Sequence, residues 1–513
     1  MTKSIHIIGA GINGLVAAAD LAARGRRVQV WERGPTPGGA VRTEDLTLPG
    51  FRHDVAAMNL SLFAGSAFMG KHGGEMARHG LDLVPINRPF AQALDPGDHL
   101  GITLDEAETL ASFASEADKA SWRALKADFP ARAGLVGGLL GTPMTKRALA
   151  KFLWRQWRAL GTAKMFETGQ FLLTSPRAWL TETFEDPRLH TALASWGMHL
   201  DFAPDVAGGA IFPYLEAMAG HAMGMVIGKG GADTVTRALV RMIEAHGGTV
   251  TCNAEATAIH HAQGRATGLT VKGERLSADH ILAGLAPRHL ARLLGDSGNM
   301  RFDQGLAKFQ HAPGTMMIHL ALEGAVPWLA EPLRNFAYVH VGRSIDDAAR
   351  TYAQALAGQL PDRPLLVVGQ PSVFDPTRAP AGKQALWVQV RMVPAEIRGD
   401  AKGQISTRDW AEAKEAMAER ALDLIEDQAP GFRARILGRT VVSPLDLEAE
   451  NPNLVGGDQI CGSHHLRQNF LFRPVRGFAD GRTPLAGLDM IGAACWPGAG
   501  TGAGSGFFAA QRL

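Results

Sequence analysis

The chain opens on a tight apolar run, Ile5-His6-Ile7-Ile8, patterned like a short buried strand. A glycine turn, Gly9-Ala10-Gly11-Ile12-Asn13-Gly14, follows at once, and residues 15–22 are a good helix former with an apolar face. Gly25 ends that helix, and Val28-Gln29-Val30-Trp31 reads as a second strand. Residues 235–245 carry helical spacing, 247–252 and 254–259 read as strands, Gly264 marks a hairpin before 266–272, and 279–283 reads as the next strand. Between about 75 and 224 helical patterns dominate and strands are scarce. From about 301 to 446 strand-like alternation returns in 315–322, 336–341, 365–369 and 385–392. A helix over 410–427 interrupts it, with Ala413, Met417, Ala421, Leu422 and Ile425 at helical spacing.

This order predicts an α/β protein with a Rossmann-type dinucleotide-binding domain and a discontinuous α+β substrate domain. Residues 1–74, 225–300 and 447–513 are assigned to the first, 75–224 to a helical cap, and 301–446 to a mixed sheet. At 513 residues the chain exceeds the usual limit of one core, which agrees with more than one domain. Its net charge of +2 gives no argument for nucleic acid. The three cysteines, Cys252, Cys461 and Cys495, are far apart and form no CxxC, which points to a reducing compartment. No HExxH, Ser-His-Asp set or metal-ligand spacing is present, so no metal is expected. Met1-Thr2-Lys3-Ser4 runs straight into the first strand with no leader-like apolar stretch, and no segment has the roughly 18 apolar residues of a membrane span. The expectation is a cytoplasmic protein, soluble or peripheral to the inner face of a membrane.

The two ends carry the chemistry. In the first motif Gly9 permits the tight turn, Gly11 lets the backbone approach a pyrophosphate, and Gly14 lets the helix pack close. Glu32 ends the second strand about 20 residues on, where an acid accepts hydrogen bonds from a ribose. Asn13 and Arg33 join these as candidates. The alternative is a glycine turn in an ordinary βαβ unit. Near the other end stands Pro497-Gly498-Ala499-Gly500-Thr501-Gly502-Ala503-Gly504, after a strand ending near Gly492. The helix expected from Gly502 onward turns its N-terminus toward negative charge.

Pro37-Gly38-Gly39-Ala40-Val41-Arg42-Thr43 and Gly50-Phe51-Arg52-His53-Asp54 follow Glu32. At this point the chain resembles the FAD-dependent amine oxidase and phytoene desaturase superfamily. Its C-terminal block is most similar to the phytoene-desaturase-related branch, which includes carotenoid isomerases and retinol saturases. The resemblance implies FAD, with Gly38 and Gly39 at the flavin-side phosphate and Arg42 near the flavin or its phosphates; a surface salt bridge is the other reading of Arg42. It implies that the Ala256 backbone lies over the adenine edge. Met58, Asn59, Gly492, Gly500, Thr501 and Gly502 are expected near the ring system. Two departures stand out: Val55-Ala56-Ala57-Met58-Asn59 replaces a small residue and glycine after the Asp, and Thr501 stands where valine is commoner.

These residues lead to an FAD-dependent oxidoreductase that moves hydride from a C–H bond of a largely apolar or aromatic substrate onto flavin N5. Only one dinucleotide cradle is visible, so oxygen or a quinone is the expected acceptor. The alternatives are a flavin amine oxidase, a redox-neutral polyene isomerase, and a non-catalytic lipid carrier of the GDI type. Amine oxidases carry a lysine water-linked to flavin N5, and the strand with Met316 and Met317 has none. His464 and His465 are candidates for an acid–base pair; a surface turn is the other reading. His199 and Asp201 are polar candidates on the substrate side. Residues 145–163 alternate Lys146, Arg147, Lys151, Arg155 and Arg158 with Leu149, Phe152, Leu153, Trp154, Trp157 and Leu160. That pattern suits an interfacial membrane helix, or a cap helix packed on the protein.

Overall fold

The computed structural model describes residues 4–513. Met1, Thr2 and Lys3, read above as leading into the first strand, lie outside the described residues. A five-stranded parallel sheet runs in the order Leu488–Met490, His280–Ala283, Ser4–Ile8, Arg27–Trp31, Thr249–Thr251. Its centre is the first apolar run of the sequence, with Ile7 opposite Val30 on one side and Leu282 on the other. A parallel pair needs a crossover, and the helix Ile12–Ala23 supplies it. Its buried sides include the small residues Gly14, Ala17, Ala18, Ala19 and Ala22, and the helices Asp233–Ala245 and Gly504–Arg512 pack against it. A three-stranded antiparallel sheet, Ala256–Ala262, Arg265–Val271 and Glu274–Ser277, lies in the chain just ahead of the strand His280–Ala283.

A second, seven-stranded sheet runs Ile436–Val442, Gly314–Leu322, Gln384–Val393, Leu365–Gly369, Tyr338–Val341, Phe90–Ala93, His99–Ile102. It is antiparallel except where Tyr338–Val341 meets Phe90–Ala93. Strand side chains alternate between faces. Met316, Ile318, Leu320, Leu386, Val388 and Val390 point one way, into a core shared with Trp410, Met417, Leu422 and Ile425 of the helix Trp410–Gln428. The intervening residues, including Met317, His319, Trp387, Gln389 and Arg391, fall on the other face.

Residues 75–224 are mainly helical, and the few strands there are Leu83–Ile86, Phe90–Ala93 and His99–Ile102, the last two of which join the seven-stranded sheet. Each has four residues, too few for a period to show, and their pairing is non-local: Phe90 lies opposite Tyr338 and Leu83 opposite Gly228. The stretch 301–446 likewise contains a helix, Ile345–Leu356, that alternation did not suggest.

The basic amphipathic segment is part of a longer helix, Lys146–Leu173, broken at Gly161 with φ 76°. Among its 28 residues none is buried. Leu153, Trp154, Trp157, Phe166 and Leu173 are exposed. It pairs with the helix Glu116–Leu140. No described helix is long and apolar enough to cross a membrane.

Arg378 ties three distant segments together. It is fully buried, donates to Asp54 at 2.9 Å and Asp375 at 3.0 Å, and reaches the Gly228 carbonyl at 2.9 Å. Asp54 in turn accepts from Thr43 and from the Ala232 backbone. With every oxygen and donor occupied, this buried pair escapes the penalty of an unpaired charge.

Candidate functional site

The glycines at the two ends of the chain meet. Asn13 Oδ1 accepts from Ser505 Oγ at 2.8 Å and from the Gly506 backbone at 3.2 Å. Ser505 also accepts from the Gly492 backbone at 2.8 Å. A side chain at Gly506 would run into the Asn13 carbonyl, and one at Gly14 into the Gly9 carbonyl. Gly38 donates to the Ala10 carbonyl at 2.8 Å, and a Cβ on Gly39 would lie 3.2 Å from Gly11 Cα. Gly9, Gly38 and Gly39 all have positive φ. In contrast, a Cβ on Gly11 or Gly492 would meet nothing within 4 Å. Those two backbones border open space.

The helix Ile12–Ala23 has no side-chain cap, nor does Gly504–Arg512. Apart from the Gly506 N–H, which Asn13 takes, their first-turn N–H groups are left for a ligand, and the dipoles favour an anion. Glu32 stands beside this cradle. Its two oxygens accept from the Ala10 and Gly34 backbones at 2.7 Å each, which fixes the carboxylate and leaves a lone pair on each oxygen for a hydroxyl. Ala254 donates to the Glu32 carbonyl at 2.8 Å, bringing Ala256 to the same end. An acyl-free anion pocket, an acid for a ribose and a backbone edge fit the phosphate and adenosine parts of FAD.

The ring-side candidates also converge. Thr501 donates to the Asn59 carbonyl at 3.4 Å, and side chains at Gly500 and Gly502 would meet Leu62. Met58 is buried against Gly369 and Trp387. Tyr338 stacks on Trp387 at 5.7 Å and 7°, and its phenol faces the Asn59 backbone.

Four predicted residues have protein partners of their own. Arg33 donates to the Ala449 and Glu450 carbonyls, closing the helix Pro444–Glu450. Arg42 pairs with Glu450 at 2.9 Å and with Glu44 at 3.5 Å, the salt-bridge reading. His464 and His465 point to different places. His464 is buried, and its Nε2 accepts from the Ala499 backbone at 3.0 Å, holding the C-terminal glycine loop. Burial and the nearby Arg473 keep it well below the usual imidazole range, so it is neutral. His465 sits 2.7 Å from the Asp201 carbonyl and 3.3 Å from the Tyr352 hydroxyl. Tyr352 donates to Asp201 at 2.9 Å. Adjacent in sequence, the two imidazoles form no joint acid–base pair. His199 meets His340 at 3.0 Å between ring nitrogens.

Residues 12–368 match the family of flavin containing amine oxidoreductases. The chain belongs to that family. Over 96% of its length it is 27% identical to the rat pyridine nucleotide-disulfide oxidoreductase domain-containing protein 2, covering 90% of that protein. It is 25% identical to a carotenoid 3,4-desaturase of Haloarcula japonica, over 97% of this chain and 95% of the relative. An oxidoreductase structure from Methanosarcina mazei superposes with a TM-score of 0.65 at 18% identity, over 99% of this chain and 100% of that one. Membership makes the protein a flavoprotein oxidoreductase with FAD as its cofactor, on a mixed α/β fold with a parallel sheet. Among the described residues no group of three or more His, Cys, Asp or Glu is placed to hold a metal.

One unpartnered acid escaped the sequence reading. Glu216, on the helix Ile211–Met223, has only its burial acting on it, which pushes its carboxyl up to about 7. No motif marks it.

Proposed function

We propose that the protein is an FAD-dependent dehydrogenase acting on a C–H bond of a largely apolar substrate, with oxygen or a quinone as final acceptor. The five-stranded sheet and its helices are the Rossmann-type domain, and the seven-stranded sheet with the helices of 106–223 forms the substrate side. Gly9, Gly11, Gly14, Gly38 and Gly39 cradle the pyrophosphate, with Glu32 on the ribose and Ala256 at the adenine edge. Met58, Asn59, Gly492, Gly500, Thr501 and Gly502 border the rings. When bound, FAD supplies a hydride acceptor at N5. The chain's own work is to hold the reacting carbon beside it and to exclude water. Tyr338, Trp387, Met58 and Met317 supply apolar and aromatic walls for that purpose. His464 positions the glycine loop, and the helix at Gly504 places its positive end toward the charge that develops on the ring side.

The single observation that carries this reading is the meeting of both glycine segments at one open cradle, through Asn13, Ser505 and Gly492. The desaturase resemblance over nearly the full chain supports an apolar substrate. No lysine lies among the strand residues of the inner sheet face, which weighs against an amine oxidase. Anaerobic mixing of the yellow holoprotein with a panel of polyenes and a panel of amines tests it. Bleaching of the flavin by a polyene is the expected result; rapid bleaching by amines alone would reverse the assignment.

The exposed Trp154, Trp157 and Phe166, set among Lys146, Arg147, Lys151, Arg155, Arg158 and Lys164, support peripheral attachment to an anionic membrane. Co-flotation with anionic but not neutral vesicles is expected, lost on replacing both tryptophans with serine. Equal flotation of that variant would exclude the helix.

A further inference from the structure

The helix Ile211–Met223 is buried through His221 except along one stripe. Phe212, Leu215, Glu216 and Ala219, at positions i, i+3, i+4 and i+7, are each half-buried. A stripe facing bulk water would be polar. Here three of the four are apolar, and the one acid is far enough from water for burial alone to raise its carboxyl to about 7. The space before the stripe is therefore internal.

Its walls are identifiable. Gly220, one turn on from Glu216, lies against Phe90, where an added Cβ would come 3.2 Å from the ring. Phe90 is the register partner of Tyr338, whose phenol lies beside the Asn59 backbone and feels the charge of Glu216. Phe212, one turn back, stacks on Phe202 at 4.8 Å. Phe90 and Tyr338 thus link the helix that carries Glu216 to the segment at Asn59. No hydrogen bond or ion pair engages its carboxyl among the described residues. Tyr338, on the sheet, is the titratable group that feels its charge; Asp54 acts on that phenol more strongly than Glu216 does, and Arg391 less. On its own helix Tyr214 and His221 are buried on other sides, and the His199–His340 pair occupies the next row of the sheet. A buried acid kept without a partner costs free energy that packing with a leucine would not.

We propose that Glu216 is the proton acceptor of the dehydrogenation, a role that rests on the C–H-oxidising reading above. Two adjacent C–H bonds break. Hydride, with both electrons of its bond, leaves one carbon for flavin N5. The proton of the neighbouring carbon goes to the Glu216 carboxylate, and the electron pair it leaves forms the new π bond. The substrate loses two electrons, the flavin gains them, and the proton passes from Glu216 to water.

The carboxylate form is the active one, so the rate of anaerobic flavin reduction should rise with pH through about 7. Glu216→Gln should lower that rate by roughly a hundredfold to ten-thousandfold and erase the rise. Glu216→Asp should keep the rise at a reduced rate. A second readout needs no turnover: in pH-difference infrared spectra a protonated-carboxyl carbonyl band should vanish as pH passes about 7, and be absent from Glu216→Gln, with flavin content and melting temperature unchanged. A Glu216→Gln variant that is reduced by the polyene at the wild-type rate and with the wild-type pH profile would overturn the proposal and leave the dehydrogenase reading standing. Wild-type protein that no polyene reduces would remove that reading, and the proton-acceptor role with it. A Glu216→Gln effect confined to the KM of amines would instead make the residue an ammonium anchor and overturn the proposal.

Discussion

The two faces of the seven-stranded sheet are made by the same strands and differ in what they leave unsatisfied. The outer face is hydrocarbon against hydrocarbon: Met316, Ile318, Leu320, Leu386, Val388 and Val390 pack on Met417, Leu422 and Ile425. The inner face buries Tyr338, His340, His319, Trp387, Gln389 and Arg391. Both ring nitrogens of His319, the Trp387 indole N–H, Arg391 Nε and His340 Nδ1 have no partner there. Each such atom costs about 1–3 kcal/mol. The outer face therefore stabilises the sheet, and the inner face retains groups that folding alone would discard. Such groups cluster where a ligand completes them.

The comparison can be broken from either side. Leu422→Ala on the outer face should cost about 2–5 kcal/mol in chemical denaturation, with the rate of flavin reduction per bound flavin unchanged. A large rate loss there would erase the distinction. Acid acts on the inner face. Burial drives the imidazoles of His319 and His340 from 6.5 to about 3, so the unfolded chain binds protons that the folded one refuses. Folded stability is then complete above pH 6.5 and falls as pH drops toward 3, by up to about 1.4 kcal/mol per pH unit for each residue. Denaturation midpoints from pH 7 to pH 4 should follow that slope, and His319→Phe should lessen it; a slope unaltered in that variant would contradict the assignment. Trp387→Phe should change stability by less than about 1.5 kcal/mol while slowing flavin reduction; the reverse pattern would make the indole a packing residue. Smallest of all, replacing Trp154 and Trp157 with serine should shift stability within about 0.5 kcal/mol, since neither is buried.

The same contrast explains what the sequence reveals. The cradle is made of backbone, and backbone demands glycine at fixed offsets: Gly9, Gly11, Gly14 and the acid Glu32 are spaced by the geometry of one βαβ unit. The chamber is made of side chains brought from distant segments. Glu216 sits in an apolar helical stretch, and only the folded structure, which buries it with no partner for its carboxyl, sets it apart. The strands Phe90–Ala93 and His99–Ile102 are hidden for a related reason, since four residues carry no period and their partners lie far along the chain. His464 and His465 invited a joint role by adjacency, yet neighbouring side chains in an extended segment diverge: one reaches Ala499, the other Asp201. For Arg42 the resemblance implies a place near the flavin or its phosphates and the other reading is a salt bridge; its pairing with Glu450, more than 400 residues away in the chain, is visible only once the chain is folded.

The central claim is that this chamber oxidises a C–H bond rather than rearranging one. It is tested most directly by incubating stoichiometric holoprotein anaerobically with a polyene and weighing the product by mass spectrometry while following the flavin spectrum. The account predicts a product lighter by two hydrogens, formed in equal amount to the flavin reduced. A product of unchanged mass, with the flavin still oxidised, would contradict it and make the protein an isomerase.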